Sequence, residues 1–169
     1  FFQAEDGIRD KLVTGVQTCA LPISYLLTDA TIDAPSLHAM LRPIVARTWD
    51  QLSVDGDTST SDTVFLLASG AAGAAAVAPG SPAWQALSDA IESVARSLAR
   101  MQAADGEGAH SLITCQVSGA RDDADARALA RAVVQSSLVK AAFHGRDPNW
   151  GRIADALGDR KSTRLNSSH

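Results

Sequence analysis

Residues 25–159 alternate between short apolar runs and amphipathic stretches, and this alternation constrains the fold more than any other feature. The apolar runs predict strands at about 25–32 and at 111–118, where Ile113, Cys115 and Val117 share one face. Two strands are too few to close a sheet. The pattern therefore predicts an α/β, or layered α+β, domain of which this chain holds an incomplete fragment without its partner strands.

The amphipathic stretches carry the start and stop signals of helices. Asp33, followed by a proline and an apolar stripe, is a predicted N-cap. Ser81 precedes another proline and predicts a helix that ends at about Ala104. Ser59 and Asp62 resemble a capping box and predict a helix through 64–67 toward Gly70. Two more helices are predicted, one over 124–142 and a short one that ends at Gly158.

The composition excludes several classes of protein. The chain has 169 residues, a formal net charge of −4 and a pI near 5.4, which argues against a surface for nucleic acid or for an anionic membrane. Two cysteines cannot build a secreted disulfide framework. The longest apolar run, 64–78, is shorter than the roughly 20 residues that span a bilayer. We therefore expect a cytoplasmic protein with one globular core.

The two ends of the chain show no helix or strand pattern. Residues 1–24 have neither the basic start nor the apolar stretch of a secretory signal, and residues 160–169 are polar and pattern-free. Both ends resemble translated sequencing-adapter read-through. We therefore predict that 1–24 and 160–169 are non-native and that 25–159 is the domain, with ordinary disordered tails as the alternative.

Most candidate motifs for catalysis or metal binding fail on spacing. The turn that begins at Asp55 starts like a calcium loop, but its sixth and twelfth positions lack the required Gly and Glu. His38, His110 and His144 lack the spacing of zinc ligands, and no glycine-rich phosphate loop occurs. Cys115 alternates with apolar neighbours, so it is predicted to be a small core residue rather than a nucleophile.

Two loops are better candidates for ligand binding. Glu107 lies between two glycines where a helix is predicted to end and a strand to begin, so its carboxylate is accessible to a ligand. A solvated turn is the alternative. The loop 147–152 carries an amide, an aromatic ring and a cation behind a proline. Its structural alternative is that Asn149 caps the last helix, Trp150 packs and Arg152 pairs with a carboxylate.

Three strings of residues, in this order and spacing, resemble the ArgJ family. They are 54–64 (VDGDTSTSDTV), 105–109 (DGEGA) and 138–153 (LVKAAFHGRDPNWGRI). This is the family of the bifunctional ornithine acetyltransferase / N-acetylglutamate synthase of arginine biosynthesis. The resemblance covers 25–159 and implies a fragment of the β chain of the ArgJ / DmpA-like self-processing fold.

The resemblance also implies a chemistry. The family's precursor cleaves itself between an Ala and a Thr into an α and a β chain, and the new N-terminal Thr is activated by its own amine. This Thr takes acetyl from N-acetylornithine and passes it to glutamate, while an oxyanion hole from the α chain stabilises the intermediate. No metal or redox cofactor is implied, and acetyl-CoA is a second donor where the family member is bifunctional. Glu107 matches the family's substrate-binding acid.

The chain departs from the family at the nucleophile. Counting back from the strand that ends at Thr28-Asp29-Ala30 places this position at Leu21, which has no hydroxyl. The family's α chain and the C-terminal part of its β chain are also absent from the resemblance. We therefore expect this chain to be inactive, and its parent to be a heterotetramer of two α and two β chains.

Two alternative functions remain at this point. The first is a fragment of a related N-terminal-nucleophile aminopeptidase, against which the strings at 54–64 and 138–153 argue. The second is a non-catalytic binding module, which requires residues 25–159 to fold alone. Strands without neighbours leave open edges and apolar faces, so we predict that 25–159 alone aggregates or stays molten. The individual roles of Lys140, Asn149 and Arg152 are left open by the sequence.

Overall fold

The computed structural model describes residues 14–17, 23–56, 61–106 and 108–166, of which 14–17 and 159–166 are described by their backbone alone. The chain divides into two compact units. The first unit comprises Phe1–Asp50 and Ser59–Asp105, and the second comprises Gln51–Thr58 and Gly106–His169.

The first unit contains a three-stranded sheet in the order β1 (Thr14–Gln17), β2 (Ile23–Thr28) and β3 (Thr63–Ala68). β1 runs antiparallel to β2, and β3 runs parallel to it. β2 confirms the predicted first strand with a shift toward the N-terminus. β1 lies inside the segment 1–24, whose non-native origin stays a prediction.

Two helices pack in this unit, and both begin where their caps predict. α1 (Ala34–Arg47) starts after Asp33, whose Oδ1 accepts from the Ser36 amide at 2.9 Å. α2 (Pro82–Ala104) starts after Ser81, whose Oγ accepts from the Trp84 amide at 3.1 Å. Each cap satisfies an amide that has no partner within its helix. The predicted end of the second helix at Ala104 is also confirmed.

The core of the first unit lies between these helices and one face of the sheet. It consists of Leu26, Ala30, Met40, Ile44, Leu87, Ile91, Ala95 and Leu98. The opposite face of the sheet carries large apolar side chains that remain 37–47% exposed, namely Tyr25, Leu27, Phe65 and Leu67. The Tyr25 and Phe65 rings stack at 5.2 Å between centroids.

The predicted helix through 64–67 is wrong, because these residues form β3. An unbroken apolar run fits a parallel strand with apolar side chains on both faces as well as it fits a short helix. Pairing decides the outcome, since Ser24 lies opposite Val64 and Leu26 lies opposite Leu66. Ser59, the predicted cap, lies outside the described residues.

The second unit contains three helices among its described residues. α3 (Asp123–Gln135) is capped by Asp122, whose Oδ1 accepts from the Asp125 amide at 2.8 Å. α4 (Ser137–His144) follows after one extended residue, Ser136, whose Oγ accepts from the Val139 amide at 3.3 Å. The prediction of one helix over 124–142 is therefore wrong, because this serine ends one helix and caps the next.

The last helix and the second predicted strand also differ from expectation. α5 (Trp150–Asn166) continues through Gly158, which keeps a negative φ and does not end the helix. Residues 111–118 form no strand, although Ile113, Cys115 and Val117 are half-buried and alternate with exposed neighbours. Burial alternates from residue to residue as in a strand, but among the described residues no partner strand lies beside 111–118 to form a ladder. None of the helices in the described ranges is both long and apolar enough to cross a bilayer.

Candidate functional site

α4, which belongs to the 138–153 string, contacts the beginning of the 54–64 string and the residue that follows the 105–109 string, and these contacts lie within the second unit. Lys140 on α4 donates from Nζ to the Val54 carbonyl at 2.7 Å, and to the carbonyl and Oγ of Ser53 at 3.4 and 3.5 Å. A lysine ammonium has three donors and no acceptor. These bonds therefore hold the Lys140 ammonium against the beginning of the 54–64 string. The ammonium is then less available to bind a ligand.

The electrostatics of Lys140 agree with this structural use. Burial lowers the pKa of the Lys140 ammonium from its ordinary value, and the nearby charge of Asp55 acts in the opposite direction. The adjacent Gly56 has a φ of +93°, and a Cβ placed there would meet the Gln135 carbonyl at 3.9 Å. The predicted turn after Asp55 is confirmed as far as Gly56, whereas Asp57 lies outside the described residues.

The far end of α4 lies beside the segment that follows the 105–109 string. The imidazole rings of His110 and His144 are 6.3 Å apart between centroids, with their planes tilted by 33°. His110 directly follows the 105–109 string, and His144 belongs to the 138–153 string. Along α4 the described residues therefore bring together Val54, His110 and the 138–153 string, within the second unit.

The loop after α4 is tightly turned. The amides of Gly145 and Asp147 donate to the Ala141 and Ala142 carbonyls at 2.9 Å, and Arg146 adopts a φ of +53°. Asn149 donates from its side-chain amide to Asp147 Oδ2 at 3.2 Å. A non-glycine residue at positive φ is strained, so this loop holds a fixed shape at an energetic cost.

The purely structural interpretation of this loop is wrong in its main point, because Trp150 does not pack: its side chain is 79% exposed. No carboxylate of the described residues forms an ion pair with Arg152. A groove of about 410 Å³ opens beside the loop, within the size range of small-ligand sites. It is lined by Val139, Ala142, Phe143, Arg146, Asp147, Pro148, Asn149, Trp150 and Ile153.

A buried polar chain lies in the first unit. Gln102 Nε2 donates to Ser24 Oγ at 2.9 Å, and Trp49 Nε1 donates to Gln102 Oε1 at 2.7 Å. Ser24 comes three residues after Leu21, and Gln102 comes five residues before Glu107. The contact therefore joins β2 to α2 within the first unit.

The remaining sequence-based candidates are placed as follows. Leu21 and Glu107 both lie outside the described residues. Cys115 is half-buried and burial raises the pKa of its thiol, which fits a packing residue better than a nucleophile. His38 is exposed on α1. In the described ranges no group of three or more His, Cys, Asp or Glu residues could hold a metal ion.

Sequence reasoning missed Gln102, Ser24 and the contacts of Lys140. A signal for Gln102 was present, because it continues the stripe of Ile91, Ala95 and Leu98 at helical spacing. An amide in an apolar stripe requires polar partners across the core. The contacts of Lys140 span 86 residues of sequence and left no local signal.

Comparison with known proteins decides the family. The family model described as "ArgJ family" matches residues 18–168. The chain belongs to the ArgJ family. Alignment with "Arginine biosynthesis bifunctional protein ArgJ" of Geobacillus stearothermophilus gives 44% identity over 139 residues, covering 82% of this chain and 34% of that relative. The protein of the same name from Symbiobacterium thermophilum is 48% identical over 139 residues, covering 82% of this chain and 35% of that one.

A mitochondrial ArgJ of Schizosaccharomyces pombe is 43% identical over 136 residues, covering 80% of this chain and 31% of that relative. The solved structure of the Bacillus halodurans ArgJ protein superposes with a TM-score of 0.77 at 43% identity, covering 80% of this chain and 64% of that one. The chain thus spans about a third of the length of the curated ArgJ relatives. The predicted family and the α/β fold class are confirmed.

Proposed function

We propose that this chain is a fragment of a glutamate N-acetyltransferase of arginine biosynthesis, which moves acetyl from N-acetylornithine to glutamate. The names of the relatives support the pathway. The superposition on the solved Bacillus halodurans ArgJ structure, with a TM-score of 0.77 at 43% identity, is the structural observation that carries the proposal.

In the proposed reaction the N-terminal Thr hydroxyl of a processed family member attacks the acetyl carbonyl of N-acetylornithine. The C–N bond breaks, ornithine leaves with the hydroxyl proton that the terminal amine has relayed, and an acetyl-Thr ester remains. The amine of glutamate then attacks this ester and restores the hydroxyl. The proposal includes no metal or redox cofactor, and acetyl-CoA serves as a second donor in bifunctional members.

Within this scheme the chain supplies part of a site. Leu21 occupies the proposed nucleophile position and has no hydroxyl to form an ester, so the chain alone is inactive. Glu107 is the proposed substrate-binding acid, whose carboxylate meets the charged end of the amino-acid substrate. The proposed partner is the α chain of the same precursor, in an assembly of two α and two β chains.

The proposed location is the cytoplasm, without a nucleic-acid or membrane partner. The acidic composition and the low cysteine content support it. The Schizosaccharomyces pombe relative is named as mitochondrial, so the mitochondrion is the alternative for a fungal source.

A hybrid enzyme tests the proposal. In it, residues 25–159 replace the matching segment of the Geobacillus stearothermophilus relative, which supplies the upstream segment with the family's Thr. We expect self-cleavage and acetyl transfer from N-acetylornithine to glutamate. Glu107→Ala should abolish turnover while self-cleavage continues, and Asp89→Ala, an exposed carboxylate on α2, should leave both unchanged. A hybrid enzyme that folds and cleaves itself but transfers no acetyl contradicts the proposal, and unchanged transfer in Glu107→Ala removes the site assignment.

A further inference from the structure

Two exposed imidazoles from distant parts of the sequence lie side by side in the second unit. The ring centroids of His110 and His144 are 6.3 Å apart, and both residues are exposed. Within the described ranges, neither ring has a hydrogen-bond or ion-pair partner. Their ring nitrogens are therefore available to a ligand from solvent.

Packing does not account for this pair. The planes of the His110 and His144 rings are tilted by 33°, and their exposure means that little apolar surface is buried between them. Histidine is, however, the commonest metal ligand among protein side chains, through either ring nitrogen. Two neighbouring imidazoles without other partners are therefore suited to share a metal ion.

The separation of the two rings fits one shared ion. At nitrogen–metal distances of about 2.0–2.1 Å, two imidazoles on one ion have ring centres about 4.5–6.5 Å apart, from adjacent to opposite positions. The observed 6.3 Å lies inside this range, near its upper end. Small rotations about the side-chain bonds aim the nitrogens at the ion, and exposed side chains make such rotations readily.

The ligand atoms select the chemical class of the metal. Imidazole suits Cu²⁺, Ni²⁺ and Zn²⁺, whereas Mg²⁺ and Ca²⁺ prefer oxygen ligands. In the part of the chain that the structure describes, no third His, Cys, Asp or Glu completes a metal-binding group, so water fills the remaining positions. Two nitrogens with water fit the tetragonal geometry of Cu²⁺ or Ni²⁺ better than the closed four-ligand site of structural zinc.

We infer that His110 and His144 form a two-histidine site for a divalent transition metal, which binds Cu²⁺ more tightly than Ni²⁺ or Zn²⁺. The bound ion joins the segment 110–118, which forms neither helix nor strand, to the last residue of α4. Arg146 and Asp147, which follow in the adjacent loop, carry opposite charges and add no net charge against the cation. The inference does not rest on the proposed function, because metal binding requires no acetyl transfer.

Calorimetric titration of the hybrid enzyme with Cu²⁺ alone tests the site, because variants in one host share the other metal sites of that host. Two linked ligands bind about 10²–10⁴ times more tightly than one. His110→Ala and His144→Ala should therefore each weaken this Cu²⁺ site by about 100-fold or more. The double variant should bind within about twofold of the single variants, because either substitution already removes the shared coordination.

His38→Ala is the matched control, because His38 is an exposed histidine on α1 in the first unit. It should change the Cu²⁺ affinity by less than about twofold. Mg²⁺ should give no signal that the His110 and His144 substitutions alter. An equal loss of affinity in His38→Ala, or an unchanged affinity in either variant of the pair, overturns the inference.

A second readout identifies the ligands directly. Electron paramagnetic resonance of the hybrid enzyme with a substoichiometric amount of Cu²⁺ should show nitrogen couplings from two imidazoles, and His144→Ala should lose this pattern. A spectrum that is the same in the unsubstituted and substituted proteins overturns the site. A hybrid enzyme that binds Cu²⁺ as expected but transfers no acetyl counts against the proposed function instead.

Discussion

Replacing Glu92 by glutamine tests the contact that joins α1 to α2. Arg47 donates to both carboxylate oxygens of Glu92, from Nε at 3.2 and 3.1 Å and from Nη2 at 2.5 Å. Arg96, one turn along α2, donates to the same carboxylate at 2.6 Å. Glutamine keeps the shape of the side chain, removes its charge and replaces one acceptor oxygen by an N–H donor, so the substitution removes the charge together with part of the hydrogen bonding.

The expected loss follows from exposure and geometry. The side chains of Arg47 and Glu92 are 40% and 21% exposed, so solvent screens much of their attraction. Exposed ion pairs contribute about 0.2–1 kcal/mol to the free energy of unfolding. Glu92 accepts from both nitrogens of Arg47 and from a second arginine, so we place its contribution at the upper end of this range. We therefore expect Glu92→Gln to lower the free energy of unfolding by about 1 kcal/mol at neutral pH and low salt.

The pH dependence has a definite sign. The hydrogen bonds from Arg47 lower the pKa of Glu92 from its ordinary 4.5, burial opposes this, and Arg96 adds to it. The folded state therefore binds the proton more weakly than the unfolded state. The stabilisation is complete above pH 4.5 and is lost as the pH falls through the lowered pKa. Salt at about 1 M should also reduce it, because the screening length falls to roughly 3 Å.

The difference in stability between the hybrid enzyme and its Glu92→Gln variant is measured by urea unfolding at neutral and acidic pH, with circular dichroism as the signal. Asp89→Asn on the same helix, an exposed carboxylate that accepts from Gln85, is the control and should change stability by less than about 0.5 kcal/mol. A difference that persists below the lowered pKa, or that does not respond to salt, refutes the electrostatic reasoning.

Two further predictions concern local backbone and the isolated segment. Gly56→Ala should lower the free energy of unfolding by about 1–2 kcal/mol, because Gly56 has a φ of +93°. Gly158→Ala, in the exposed part of α5, should instead raise it by up to about 1 kcal/mol. Urea unfolding midpoints of the two variants measure both effects, and equal effects contradict the assignment of strain to Gly56. Residues 25–159 alone should give a weak near-UV circular dichroism spectrum and no cooperative melt, because the outer sheet face that carries Tyr25 and Phe65 is apolar and exposed. A sharp spectrum and a cooperative transition contradict this.

The sequence predicts the elements whose signals are local. Asp33 and Ser81 each offer a side-chain oxygen to an amide three residues on, followed by a proline and an apolar stripe, and both helices begin there. The family strings are also local, since each combines turn residues with reactive groups in one short segment. The contacts of α4 with Val54 and His110 required the structure.

The predictions that were wrong concern elements whose structure depends on residues distant in sequence. The run at 64–68 became a strand because β2 pairs with it, whereas 111–118 kept its period of two without a described partner. Ser136 separates α3 from α4 through a cap that competes with helix continuation. The Ser24–Gln102 bond joins residues 78 apart in sequence, so no local pattern could reveal it.

Acetyl loading is the measurement that tests the central claim most directly. The purified 169-residue chain and the hybrid enzyme are each incubated with N-acetylornithine, quenched, and analysed by peptide mass spectrometry. The account predicts one acetyl group on the N-terminal Thr of the processed hybrid enzyme, its removal by glutamate, and no acetylation at Leu21 or elsewhere on the 169-residue chain. Acetyl transfer to glutamate by the 169-residue chain alone would contradict it.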